Sequence, residues 1–263
     1  MAVVVFPGSN CDRDSAHAAR VAMGARVRQH WHQNSLDGCQ DDLVILPGGF
    51  SYGDYLRTGA IAARSPSVQS LGSYVKRGGL VLGICNGFQI LLEAGYLPGA
   101  MRANHQLRFI CKNVHLSVHR TAGPFTSMIQ GPVIELPIAH GSGNYEVSSS
   151  DLQRLEAENR IVFRYSDAAG KATATANPNG SVGNIAGICD VSGRILGMMP
   201  HPERFIDLPH HRTDGRSLFE SIKTWVNSEA TIKLQGGCEV ASGRSEDSRP
   251  HSSSWTRSTG VGA

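Results

Sequence analysis

A chain of 263 residues is long enough for one large α/β domain or two small ones with a full core. Its 40% hydrophobic and 18% charged content fits a globular fold, and a net charge of +3 without a dense Lys/Arg stripe argues against nucleic-acid binding. The longest apolar runs span only a few residues, too short to cross a bilayer. AVVVF follows Met1 at once, with no basic leader or cleavage site, so a cytoplasmic protein is expected. Cys11, Cys39, Cys85, Cys111, Cys189 and Cys238 are scattered without a C-x-x-C pair. That favours free thiols over a disulfide frame or a zinc site.

Residues 2–6 read as a first buried strand, ended by PGSN at 7–10. Asn10 or Asp12 is placed to cap a helix running to Met23, with Gly24 after it. Residues 26–31 and 43–47 read as two more strands. This alternation predicts an α/β fold, a mostly parallel central sheet with helices on both faces, whose ligands sit at the carboxyl ends of the strands. Three glycine-rich loops, at 7–10, 48–59 and 83–87, fall at strand ends and should share one rim.

Residues 78–95, GGLVLGICNGFQILLEAG, read as strand, sharp turn and helix. Cys85 stands between Gly83 and Gly87, the nucleophile-elbow pattern with Cys in place of Ser. So tight a turn crowds its neighbours at ±2, which is why glycine is wanted there. A thiol at a helix N-terminus is favoured as thiolate by the macrodipole and free N–H groups. The N–H of Asn86 would point at an oxyanion formed there. The same pattern also suits a small buried side chain in a core turn. In GGFSYGDYLRTG, 48–59, Gly48 and Gly49 let the backbone approach a ligand closely. If that loop lies beside Cys85, Gly49 is the second oxyanion donor; otherwise it is a connection.

Residues 107–139 alternate apolar and polar side chains, which predicts antiparallel strands inserted after the Cys85 helix at the sheet edge. A short helix at 149–158 and strands at 161–165, 185–189 and 195–199 follow, with a turn at NPNGS, 177–181. In MMPHPERFID, 198–207, His201 and Glu203 flank Pro202. An extended segment would face both to one side, a carboxylate beside an imidazole. A surface ion pair is the plainer alternative. His210 and His211 come next, but the spacing fits no zinc template and no metal is expected. Leu218, Ile222, Trp225 and Val226 mark a last amphipathic helix. Residues 1–230 are then one domain, and the Ser/Gly-rich residues 231–263 a disordered tail.

A Cys on an elbow, a glycine loop at a neighbouring strand end and a late His-x-Glu pair stand in the order of the class I (triad-type) glutamine amidotransferases, which the chain resembles. PGSNCD, PGGFSYGDYLRTGAIA, LGICNGFQIL, LPGAMRAN, FICKNV, NPNGS and GMMPHPER, within residues 2–228, are similar to those of the PurQ family. Its members are glutaminase subunits of phosphoribosylformylglycinamidine synthase in purine biosynthesis.

The resemblance implies a flavodoxin-like fold, with Cys85 as nucleophile, His201 as acid and base, and Glu203 orienting it. It implies oxyanion donors at Asn86 and Gly49, and Gln89 holding the substrate, where a solvated helix position is the plainer alternative. L-Glutamine would be hydrolysed to glutamate and ammonia. The ammonia would pass to a PurL-type subunit that converts formylglycinamide ribonucleotide to formylglycinamidine ribonucleotide with ATP, with PurS bridging the two. The chain has no G-x-x-x-x-G-K-[ST] loop, so ATP and Mg²⁺ are expected on the partner and no cofactor here. Tyr52, Tyr55 and the 107–139 insertion are expected to face that partner. Ser142 departs from the acidic residue expected in the loop after His140. A stand-alone γ-glutamyl hydrolase or cysteine peptidase would use the same triad. A DJ-1-like thiol sensor would need Cys85 but neither His201 nor Glu203.

Overall fold

The strands in chain order are β1 (Ala2–Val5), β2 (Arg28–Trp31), β3 (Leu43–Leu46), β4 (Leu80–Ile84), β5 (Ala100–Arg102), β6 (Ile110–Val118), β7 (Val133–His140), β8 (Asn144–Glu146), β9 (Ile161–Ser166), β10 (Ile185–Cys189) and β11 (Ile195–Met198). The helices are α1 (Asp12–Met23), α2 (Pro66–Gln69), α3 (Leu71–Lys76), α4 (Asn86–Glu93), α5 (Ser149–Ala157) and α6 (Arg216–Ala241). The computed structural model describes residues 1–207 and 213–241, and side chains as far as residue 231. Met1–Val226 is one compact unit.

Nine strands form one sheet in the order β2-β1-β3-β4-β11-β10-β9-β6-β7. From β2 to β11 every pair is parallel, and from β11 to β7 every pair is antiparallel. The chemistry of the strands explains the division. β3 and β4 are wholly buried apolar runs, as strands covered on both faces must be. β7 instead alternates half-buried and buried residues, with a period of two. β6 and β7 pair along Ile110–Ser117 and close the sheet at one edge, where the inserted antiparallel segment was expected. β5 and β8 make a separate two-stranded sheet.

The three glycine-rich loops do share a rim. Phe50 N–H donates to Gly8 O (3.1 Å), and Cys11 N–H donates to Gly48 O (3.3 Å). Ser51 N–H donates to Asn86 Oδ1 (3.2 Å).

One local expectation is corrected. Neither Asn10 nor Asp12 caps α1; Cys11 holds the N-cap position and makes no capping side-chain hydrogen bond. The Asn10 carboxamide oxygen instead faces the Cys11 thiol at 3.5 Å. At the other end Gly24 is left-handed (φ 67°), as a helix stop requires. α6 runs as far as Ala241, into the stretch read from sequence as a tail. Glu229, Ala230, Lys233 and Leu234 are helix-favouring types, so a helix already begun propagates through them. Residues 242–263 lie outside the described residues, as do His210 and His211. Among the described residues no helix is long and apolar enough to cross a membrane.

Candidate active site

Cys85 joins β4 directly to α4, with φ 49° and ψ −102°. The glycines on either side are forced by contact. A Cβ on Gly83 would lie 2.5 Å from Leu91 Cδ1 and 2.8 Å from Gly87 O, and one on Gly87 would lie 2.0 Å from Leu46 O. Cys85 N–H donates to Met198 O of β11 (2.8 Å), which fixes the elbow beside the end of that strand. Its thiol faces Ala139 O of β7 at 3.8 Å. The side chain is buried at the start of α4, where the first backbone N–H groups have no partner within the helix.

β11 delivers the second part of the site. His201 Nδ1 and Glu203 Oε1 are 2.6 Å apart, and both residues are buried. The expected extended segment is instead a tight 3-10 turn, Pro202–Arg204. The turn folds Glu203 back onto the imidazole, so the expected pairing arises from a different backbone. Burial opposes charge on His201, but the Glu203 carboxylate and the Cys85 thiol outweigh it and push its pKa up to about 10. His201 Nε2 makes no well-formed hydrogen bond, although Cys85 lies near enough to take part in that shift. Such contacts are often long before substrate binds.

Loop 48–59 lies against this pair. A Cβ on Gly48 would sit 2.8 Å from His201 Cε1, and one on Gly49 (φ 137°) would sit 2.7 Å from Asn10 N. Asn86 Nδ2 donates to Gln89 Oε1 (2.9 Å), and Gln89 Nε2 donates to Ser142 O (2.6 Å). Gln89 is only 4% exposed, which rules out the solvated helix position. At residue 142 the backbone carbonyl makes this contact, so it does not require an acidic side chain.

Residues 1–227 match the CobB/CobQ-like glutamine amidotransferase domain family. A PurQ subunit of phosphoribosylformylglycinamidine synthase from Bradyrhizobium diazoefficiens is 51% identical over 230 residues, covering 87% of this chain and 99% of that protein. The chain belongs to the PurQ family of glutamine amidotransferases. The PurQ subunit from Gloeobacter violaceus is 53% identical over 223 residues, covering 84% of this chain and 95% of that protein. The PurLQS structure from Thermotoga maritima has a chain that matches with a TM-score of 0.75 and 41% identity, over 86% of this chain and 97% of that one.

The fold brings Cys85, His201, Glu203, Gly49, Asn86 and Gln89 of this PurQ-family chain to one rim. Sequence reasoning missed three neighbours. Asn104, the last residue of LPGAMRAN, accepts from Gly143 N–H (2.9 Å), faces His140 Nδ1 (3.0 Å) and donates to His140 O (2.8 Å). His140 is buried, and burial first, then the nearby His201, push its pKa down to about 4. Cys11 is the third, buried against Gly48 and His201. The motif Asn104 ends was the available signal for it, as PGSNCD was for Cys11 and the loop at Ser142 was for His140. Tyr52, expected to be exposed, is half-buried with its hydroxyl 3.2 Å from His32, whereas Tyr55 is 75% exposed.

Proposed function

We propose that this chain hydrolyses L-glutamine to glutamate and ammonia through a Cys85 thioester and delivers the ammonia to a PurL-type synthetase subunit. The observation that supports it best is the buried 2.6 Å His201–Glu203 pair beside a strained cysteine elbow. A raised imidazole pKa keeps His201 protonated beside the Cys85 sulfur. The thiolate attacks the side-chain amide carbon. The N–H groups of Asn86 and Gly49 hold the oxyanion, and one such donor is worth about 3 kcal/mol. His201 gives its proton to the departing ammonia, then takes one from the water that hydrolyses the thioester. Glu203 holds the tautomer throughout. Gln89, fixed between Asn86 and Ser142, lines the substrate end.

Ammonia released into water is protonated and lost, so such a site is useful only when docked. The relatives are named as synthase subunits, and the T. maritima chain belongs to a PurLQS structure. ATP and Mg²⁺ then belong to the partner, and the work is cytoplasmic, on the path from formylglycinamide to formylglycinamidine ribonucleotide. The docking face is the exposed apolar group beside the rim: Phe50, Tyr55, Leu56, Leu107 and Phe109. The Phe50 and Phe109 rings lie 6.5 Å apart and join loop 48–59 to the insertion.

The test is ammonia release from glutamine by the chain alone and with PurL, PurS, ATP and formylglycinamide ribonucleotide. A strong rise in the mixture is expected. Cys85→Ala should abolish release with the fold intact by circular dichroism. Turnover retained in that variant would sink the assignment, and equal activity with and without partners would favour a free-standing hydrolase.

A further inference from the structure

The catalytic rim leaves one reactive side chain unused. Cys11 is 3% exposed, and its sulfur lies beside the His201–Glu203 pair. One ligand atom from each of Cys11, His201 and Glu203 falls within 4.8 Å of the other two. A Cβ placed on Gly48 would lie 3.3 Å from Cys11 Sγ and 3.4 Å from His201 Nδ1, so glycine there lets sulfur and ring nitrogen share one space. Glu203 Oε2 is buried and accepts no hydrogen bond from any described residue. Arg204 Nη2 donates to Cys11 Sγ at 3.3 Å, but burial and then the Glu203 carboxylate outweigh it and push the thiol up to about 11, so a metal has to displace the thiol proton.

We propose that Cys11, His201 and Glu203 form a soft-metal site whose occupation by zinc or cadmium arrests the triad. Thiolate, imidazole and carboxylate are the donor types zinc takes in tetrahedral sites, with ligand atoms about 3.5 Å apart. The widest separation, within 4.8 Å, therefore has to close by about 1.3 Å at most, and His201 Nδ1 and Glu203 Oε1, now 2.6 Å apart, have to part by about 0.9 Å if both are ligands. The metal bonds to Cys11 Sγ, to His201 Nδ1 and to a Glu203 oxygen. It replaces the thiol proton and the proton shared between Nδ1 and Oε1, and both leave to solvent. No electron is transferred. With Nδ1 on the metal, His201 loses its bond to Glu203 and stops cycling protons.

A route in exists on the side away from the glutamine rim. A cavity of about 350 Å³ reaches Glu203 and is lined by Asp14, His17, Arg204 and Asp207. Its two aspartates are already engaged, Asp14 with Arg204 at 4.0 Å and Asp207 with His17 at 3.2 Å. None of Gly49, Cys85, Asn86 and Gln89 lines it.

The effect on activity rests on the function proposed above, whereas the binding does not, so the two are read separately. The full chain is titrated with cadmium chloride, following the ultraviolet thiolate-to-cadmium charge-transfer band. Cys11→Ser should weaken the tightest cadmium on the order of 10-fold or more and remove its band, and Cys85→Ala should keep both. In the complex with PurL, Cys11→Ser should keep glutaminase activity and lose most of its sensitivity to zinc. Unchanged cadmium affinity and band in Cys11→Ser would overturn the proposal, as would loss of that band in Cys85→Ala. Should Cys11→Ser fail to fold by circular dichroism, Cys11→Ala gives the same reading, and Glu203→Gln should weaken cadmium binding while keeping the band. Cadmium held at Cys11 in a chain without glutaminase activity would sink the function and leave the site standing.

Discussion

Cys85 carries backbone strain at the place where the thiol has to stand clear of the strand. Its φ of 49° with ψ −102° is unfavourable for any residue with a Cβ. Cys85→Gly is therefore expected to unfold at higher urea than Cys85→Ala, by about 1 kcal/mol. Equal midpoints would mean the elbow is unstrained. The two histidines of the rim titrate in opposite senses. His201 has its pKa raised from 6.5 to about 10, so its contribution to stability is complete below 6.5 and is lost as pH rises through 10. His140 is a base with its pKa lowered from 6.5 to about 4, so the unfolded chain binds the extra proton between those values. Its contribution is complete above 6.5 and is lost as pH falls towards 4, roughly 3 kcal/mol at most. His140→Asn should flatten the acid limb of a melting-temperature profile between pH 6.5 and 4. An unaltered limb would show that other groups set it.

At the scale of elements, the site depends on how closely α4 approaches β3 and β4. Gly87 leaves no room for a methyl group, because the obstructing atom is the backbone carbonyl of Leu46 in a buried parallel strand. Gly87→Ala should cost about 3 kcal/mol or more, since a central strand cannot move aside as a side chain would. Denaturant unfolding measures this, and a loss under 1 kcal/mol would mean that α4 slides freely on the sheet. The network Ser51–Asn86–Gln89–Ser142 does the complementary work. It ties two loops to the first turn of α4, so that end of the rim is held by buried side-chain amides.

For the whole molecule, the parallel half of the sheet builds the chemistry, and apolar side chains beside it carry the exposed surface. Loop 48–59 holds Tyr52, Asp54 and Leu56 in left-handed conformations while Leu56 is 88% exposed. Exposed apolar groups on a shaped loop suit an interface. Replacing Tyr55, Leu56 and Phe109 by alanine should weaken a measured PurL complex on the order of 10-fold or more, with glutaminase chemistry in the free chain unaltered. Tyr52→Ala acts differently, because its hydroxyl meets His32 inside the protein. An unchanged dissociation constant in the triple variant would move the interface elsewhere.

Much of this was legible in the sequence because it depends on near neighbours. Apolar runs mark β1, β3 and β4, glycines at ±2 mark the elbow at Cys85, and His201 lies two residues from Glu203. Each is a short-range requirement, of burial, of sterics or of reach, and such requirements leave their mark within a few residues. What the tertiary structure alone decided involves groups far apart in the chain. Cys11 reaches His201 because the sheet order β1-β3-β4-β11 lines up their loops, and Asn104 reaches His140 and Gln89 reaches Ser142 because the end of β7 comes beside the elbow at Cys85. The tight turn at Pro202–Arg204 is of the same kind. Two residues on either side of a proline fit an extended segment or a turn, and the local sequence does not distinguish them. The packing that ends β11 against β4 and β7 does.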